Sequence, residues 1–152
     1  MNTVKKVYLD HSATTPIRAE VAQAMMVAMT EQFGNPSSVH SFGRAAKKAL
    51  EEAREQVAQL IGAQPGEIVF TSGGTEADNL AVIGTAMANR KKGKHIITSS
   101  IEHHALLDSC KWLEKNGFEV TYLPVDSNGL VRVEDLMAAL REDTILISIM
   151  HV

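Results

Sequence analysis

The chain has 152 residues with 45% hydrophobic and 22% charged residues, values typical of a soluble globular domain. Its net charge of -3 argues against a general nucleic-acid binder, which would show a basic patch or stripe. No apolar run approaches the length of a membrane span, no signal-peptide hydrophobic region follows the N-terminus, and the single cysteine, Cys110, excludes an internal disulfide framework, so we expect a cytoplasmic protein.

The first part of the chain predicts two helices separated by a turn. Residues 18–33 place Val21, Met25 and Met29 on one face at helical spacing. The turn at residues 34–38 follows because glycine and the Asn-Pro pair disfavour a helix. A longer helix is predicted over residues 43–61, and the following residue, Gly62, is a plausible end for it.

From residue 67 onward, predicted strands and helices alternate. The strands are residues 68–70, 95–98, 119–123 and 144–149, and the helices are residues 75–89, 104–116 and 133–140. This pattern is typical of an α/β fold, a mainly parallel sheet with helices on both faces, in which ligands bind beyond the carboxyl ends of the strands. We therefore divide the chain into an N-terminal loop and helical segment, residues 1–62, and an incomplete α/β domain, residues 63–152.

The loop Thr71-Ser72-Gly73-Gly74-Thr75 joins the first predicted strand to a helix. Backbone amides and the Thr75 hydroxyl at such a helix N-terminus can bind a phosphate. The same residues can form a tight turn, in which Thr75 and Asp78 make a capping box. If an anion binds there, the acidic side chains of Glu76 and Asp78 must point away from it.

Glu102, His103 and His104 follow the next predicted strand. Adjacent residues do not share a helix face and no further ligand lies at zinc spacing, so no metal site is predicted. His103 can stack on a ring or move protons near neutral pH, or can begin a helix without a further role. His95 follows a basic stretch and is predicted to lie on the surface, whereas Cys110 lies on an apolar helix face and is predicted to be buried and inert.

Four motifs occur in this order along the chain: Leu-Asp-His-Ser-Ala-Thr-Thr-Pro at residues 9–16, Gly-Asn-Pro-Ser-Ser-x-His at residues 34–40, Ser-Gly-Gly-Thr-Glu-Ala-Asp-Asn at residues 72–79, and Glu102-His103. Together they resemble the cysteine desulfurases of the NifS/IscS-like branch, over essentially the whole chain. The resemblance implies the fold-type-I, aminotransferase class V architecture, with this chain forming an N-terminal helical segment and part of the large domain that binds pyridoxal 5′-phosphate.

The resemblance also implies a function and a site. The family removes sulfur from L-cysteine, which gives L-alanine and an enzyme persulfide that supplies iron–sulfur cluster assembly or another sulfur acceptor, and its sites lie at homodimer interfaces. Gly74 and Thr75 would bind the cofactor phosphate, and His103 would stack on the pyridine ring and assist proton transfer. The loop at residues 10–16 would line the substrate side.

The family's Schiff-base lysine, in a Ser-x-His-Lys context, and its catalytic cysteine have no counterpart in this sequence. We therefore expect the N-terminal part of a desulfurase, inactive by itself. Two alternatives stay open: a non-catalytic module that binds a phosphate-bearing ligand or a partner subunit, and a related pyridoxal-phosphate enzyme such as a selenocysteine lyase.

Overall fold

A computed structural model describes residues 6–151, which contain five α-helices, a short 3-10 turn and three strands. They group into two compact units, one that ends at Val69 and one that begins at Phe70. Within the described range, no helix is long and apolar enough to cross a lipid bilayer.

The first unit contains α1 (Ala19–Thr30), α2 (Ser41–Ile61) and the 3-10 turn Pro65–Glu67. Both predicted helices are confirmed, but the apolar face of α1 is not covered: Met29 is 62% exposed. The α2 helix begins where His40 Nδ1 accepts a hydrogen bond from the Gly43 amide at 3.3 Å. It ends at Gly62, whose φ of 70° is the left-handed conformation that favours glycine.

The second unit alternates helices and strands. Its elements are α3 (Gly74–Asn89), β1 (His95–Ser99), α4 (His104–Lys115), β2 (Glu119–Leu123), α5 (Val133–Ala139) and β3 (Thr144–Ser148). All three strands are parallel in the order β2-β1-β3, with His95 paired to Glu119 on one side and to Thr144 on the other. The chain thus crosses from β1 to β2 and then back past β1 to β3. Because crossovers between parallel strands are almost always right-handed, this order predicts α4 and α5 on opposite faces of the sheet. The predicted parallel α/β fold is confirmed.

One hydrophobic core joins α3, α4 and the central strand. Ile96 of β1 is fully buried and packs in one cluster with residues of both helices, namely Val82, Ala86, Leu106, Cys110 and Leu113. Full burial of an aliphatic side chain of this size contributes about 1.5–3 kcal/mol. The core therefore fixes α3 and α4 side by side on the sheet, and the two helices pack closely along their length.

The strand predicted over residues 68–70 is wrong. Ile68 has an extended backbone, with φ -93° and ψ 125°, which agrees with the apolar pattern. A strand also requires a neighbour along its edge, however, and the sheet of the described chain comprises only β1, β2 and β3. Instead, the Ile68 carbonyl accepts a hydrogen bond from the Arg54 guanidinium.

The prediction that His95 lies on the surface is also wrong, because the residue is fully buried. Its Nδ1 lies 2.7 Å from Thr144 Oγ1 on β3, and its Nε2 lies 2.8 Å from Thr121 Oγ1 on β2. The basic residues before it indicated a surface position, but two threonine hydroxyls satisfy both ring nitrogens inside the sheet. Burial lowers the pKa of His95, as does the positive charge of Arg141.

Candidate active site

The carboxyl edge of the sheet gathers three segments of the second unit. Residues 100–103 follow β1 and lead into α4, and residues 149–151 follow β3. Because α3 packs on the sheet and residues 90–94 join it to the amino end of β1, the N-terminus of α3 lies toward the same edge. The topology therefore places Gly74, Thr75 and His103 at the edge where ligands bind in parallel sheets.

The α3 helix begins without a side-chain cap. Gly73 is the N-cap residue, and the first helical hydrogen bond runs from the Ala77 amide to the Gly73 carbonyl at 3.1 Å. Within residues 6–151, the amides of Gly74, Thr75 and Glu76 donate to no acceptor. These donors point out of the positive end of a 16-residue helix, which is a favourable place for an anion.

The predicted capping box of Thr75 and Asp78 is wrong, because α3 begins one residue earlier and Thr75 lies inside its first turn. Glu76 instead reaches back, and its Oε2 accepts from the Ser72 amide and the Ser72 hydroxyl, both at 2.7 Å. Both hydrogen bonds lower the pKa of Glu76, and the bond from the Ser72 amide has the larger effect. They also hold the carboxylate at the Ser72 side of the turn. The exposed Thr75 hydroxyl has no protein partner among the described residues, so it is available to a ligand.

The loop has room for a ligand as well as donors. A Cβ atom added at Gly73 or at Gly74 would meet no heavy atom within 4 Å. The backbone amides and the hydroxyl form a donor set, and the open space beside them leaves room for a ligand. Both features suit the phosphate of a cofactor such as pyridoxal 5′-phosphate.

His103 is the N-cap residue of α4, and its imidazole is exposed. Its Nδ1 accepts a hydrogen bond from the Ala105 amide at 3.1 Å. In a neutral ring that accepts through Nδ1, the proton is on Nε2. The local structure therefore occupies one ring nitrogen and leaves Nε2–H for a ligand or for proton transfer.

Glu102, which was predicted only as part of the Glu-His motif, has a structural role that the sequence did not reveal. Its side chain is buried, and Oε1 accepts from the Ser99 hydroxyl and from the Met150 amide, both at 2.7 Å. Ser99 lies three residues before Glu102, a spacing that could have suggested the first contact. The second contact joins residues 48 positions apart and depends on the strand order.

Cys110 takes no part in this edge of the sheet. It is buried in the core, as predicted, and burial raises the pKa of its thiol to about 11. Across residues 6–151, no three or more His, Cys, Asp or Glu side chains are arranged to hold a metal ion. In the first unit, the loop at residues 10–16 is fastened by hydrogen bonds from the Ala13 and Thr14 amides to the Asp10 carbonyl.

Comparison with known proteins agrees with this geometry. Residues 7–152 match the sequence profile of the family described as aminotransferase class-V. The chain is 61% identical, over 97% of its own length and 37% of the relative's, to a protein named cysteine desulfurase IscS from Dictyoglomus turgidum. It is 62% identical, over 96% of its length and 36% of the relative's, to a protein of the same name from Methanosarcina thermophila.

Solved structures of similar proteins agree with the sequence comparisons. A protein described as NifS-like superposes with a TM-score of 0.91 at 43% identity, over 95% of this chain and 40% of that one. A structure described as SspA in complex with cysteine superposes with a TM-score of 0.88 at 42% identity, over 95% of this chain and 42% of that one. The predicted resemblance is thus confirmed, and the chain spans less than half the length of the relatives it matches.

Proposed function

Because this chain belongs to the aminotransferase class-V family, we propose that it forms part of a cysteine desulfurase, which uses pyridoxal 5′-phosphate to convert L-cysteine into L-alanine and an enzyme persulfide. The observation that carries the proposal is the uncapped N-terminus of α3 at the same sheet edge as His103. The names of the relatives at about 60% identity supply the substrate class.

The Gly74–Thr75 turn would hold the phosphate. The amides of Gly74 and Thr75 would donate to its oxygens, the Thr75 hydroxyl would add a third donor, and the helix dipole favours negative charge there. The Glu76 carboxylate is bound to Ser72, which leaves the helix N-terminus open to an anion. These residues would thus bind and orient the cofactor.

His103 would lie against the pyridine ring. The cofactor, when bound, supplies an electron sink for negative charge on the substrate carbon. The protein's part is to orient the two molecules and to hold or move protons, and His103 Nε2 is the atom available for that, since Nδ1 accepts from Ala105. We propose that the loop at residues 10–16 lines the substrate side of the complete site.

Two required groups are proposed to lie outside residues 1–152. No Ser-x-His-Lys sequence occurs here, and the only cysteine, Cys110, is buried with a raised pKa. We therefore propose that residues 1–152 alone do not consume cysteine, and that residues 1–62 and 63–152 are the N-terminal segment and part of the cofactor-binding domain of a cytoplasmic homodimer. An iron–sulfur scaffold or another acceptor would receive the sulfur.

The test is a sulfide and alanine assay on the complete gene product with added pyridoxal 5′-phosphate, L-cysteine and a thiol reductant. We expect equal amounts of alanine and sulfide, and none of either from residues 1–152 alone. Turnover of L-selenocysteine but not of L-cysteine would assign a selenocysteine lyase. Phosphate binding with neither product would assign a non-catalytic module and overturn the proposal.

A further inference from the structure

We propose that Glu102 is a positioning residue for His103, an inference that rests on the proposed function of that histidine. The Glu102 carboxylate ties the loop between β1 and α4 to the backbone that follows β3. In doing so it keeps the His103 imidazole in one tautomer and one orientation at the carboxyl edge of the sheet.

The burial of Glu102 indicates a strong constraint. The residue is only 6% exposed, and one carboxylate oxygen, Oε1, accepts hydrogen bonds from both the Ser99 hydroxyl and the Met150 amide at 2.7 Å. A carboxylate withdrawn from water is unfavourable unless hydrogen bonds replace its hydration, and bonds to a charged acceptor are stronger than neutral ones. Both donors are therefore needed to keep the carboxylate in this place.

Three contacts restrain the backbone of the loop between β1 and α4. Ser99 is the last residue of β1, Glu102 is held on it from three residues later, and His103 follows at once as the N-cap of α4. The Met150 amide fastens the same carboxylate to the segment after the neighbouring strand β3. With its backbone fixed by Glu102, His103 can keep Nδ1 directed at the Ala105 amide.

Without the Glu102 carboxylate, the His103 ring is expected to lose its single tautomer. A loop that is no longer fastened to Met150 can move away from the start of α4, and the Nδ1 bond to Ala105 is then made only part of the time. Once Nδ1 does not accept, the ring can carry its proton on either nitrogen. Nε2–H then ceases to be the single form presented to the site.

The experiment uses the complete gene product with 15N-labelled histidine, studied without cofactor and then with it. The variants are Glu102→Ala, Glu102→Gln, which keeps an acceptor oxygen, and the control Glu114→Ala, which removes an exposed carboxylate of α4 bonded to Tyr122. The readouts are the 15N shifts of the His103 ring, hydrogen exchange of the Met150 amide, and the pH dependence of kcat/KM.

In Glu102→Ala we expect mixed tautomers at His103, Met150 exchange faster by about tenfold or more, and an altered pH profile, because a charge-assisted bond is lost. Glu114→Ala should resemble the wild type, and Glu102→Gln, which keeps an acceptor oxygen but loses the negative charge, should lie between Glu102→Ala and the wild type. If Glu102→Ala does not fold, Ser99→Ala, which removes one donor, should show the same changes in weaker form. An unchanged His103 tautomer in Glu102→Ala, or in Ser99→Ala where that variant is needed, overturns the inference. The cofactor-free spectra decide this even if the wild type fails to bind pyridoxal 5′-phosphate, an outcome that would overturn only the proposed function.

Discussion

The Nδ1 atom of His103 accepts a hydrogen bond from the Ala105 amide, so the residue proposed to contact the cofactor also caps α4. The two roles can be separated by substitution. His103→Asn keeps a good N-cap residue, whereas His103→Ala removes the cap at a loss of about 1 kcal/mol in the free energy of unfolding. Both should abolish or strongly reduce cysteine turnover, but only His103→Ala should be measurably destabilised in urea unfolding. Equal stability of the two variants would contradict the capping role.

Gly74 offers a way to remove one phosphate donor without disturbing the helix. It is the first residue of α3, where proline is tolerated because the amide has no intrahelical partner. Gly74→Pro should therefore keep or slightly raise the stability of the cofactor-free protein. Its dissociation constant for pyridoxal 5′-phosphate should rise about tenfold or more, since a hydrogen bond to a charged group is lost. Thr75→Val should weaken binding in the same direction.

The matched control for the phosphate site is Thr75→Ser, which retains the hydroxyl, and fluorescence or absorbance titration gives the dissociation constants. Unchanged binding in both Gly74→Pro and Thr75→Val would mean that the phosphate is held elsewhere. That result would contradict the proposed phosphate site at the N-terminus of α3 but would not contradict the fold.

His95 should make stability depend on pH. Its folded-state pKa is lowered from 6.5, first by burial and then by Arg141, while Asp143 and Glu119 act in the opposite sense. The unfolded chain therefore binds a proton more readily, so the stabilisation is complete above the unfolded pKa and is lost as pH falls below it. The free energy of unfolding continues to fall, by up to about 1.4 kcal/mol per pH unit, until the pH reaches the folded-state pKa.

Urea unfolding between about pH 8 and pH 5 measures this effect for the range in which histidine titrates. His95→Gln should be less stable at pH 8 by about 1–3 kcal/mol and should show a flatter pH dependence. His11→Gln, at an exposed ring, provides the control. A pH dependence that is identical in His95→Gln and the wild type would show that another group is responsible.

Cys110 should be unreactive in the folded protein. Its thiol is buried, and its pKa is raised to about 11 by burial, with smaller contributions from the charges of Glu114 and Glu102. Iodoacetamide should label it only when the protein unfolds, because the thiolate is the reactive form. Mass spectrometry of native and urea-unfolded samples checks this, and rapid labelling of the native protein would contradict the buried position.

The sequence predicted the elements whose signals are local. Strand–helix alternation located the three strands and all five helices to within a few residues, because apolar periodicity reports which face is buried. It failed for residues 68–70, where the pattern fits a strand but no neighbouring strand occurs among the described residues. Extended structure is thus a local property, whereas membership in a sheet depends on distant residues.

The same distinction applies to the site. The glycines and Thr75 indicate an anion site from local geometry, and the structure gives them free amides at a helix N-terminus. The contact between Glu102 and Met150 could not be predicted, since it requires β3 to lie beside β1. Likewise, the burial of His95 depends on hydroxyl groups from two other strands.

The imidazole of His95 also has a consequence for how the strands find their places. It reaches a threonine on each flanking strand, Thr121 of β2 and Thr144 of β3. If either strand slipped by one residue, its side chains would exchange faces, and the buried ring would lose its threonine hydroxyl on that side. One neighbour of each threonine, Val120 on β2 and Ile145 on β3, offers no side-chain hydrogen bond. His95 therefore favours the observed alignment of all three strands over a slip that brings Val120 or Ile145 to the ring.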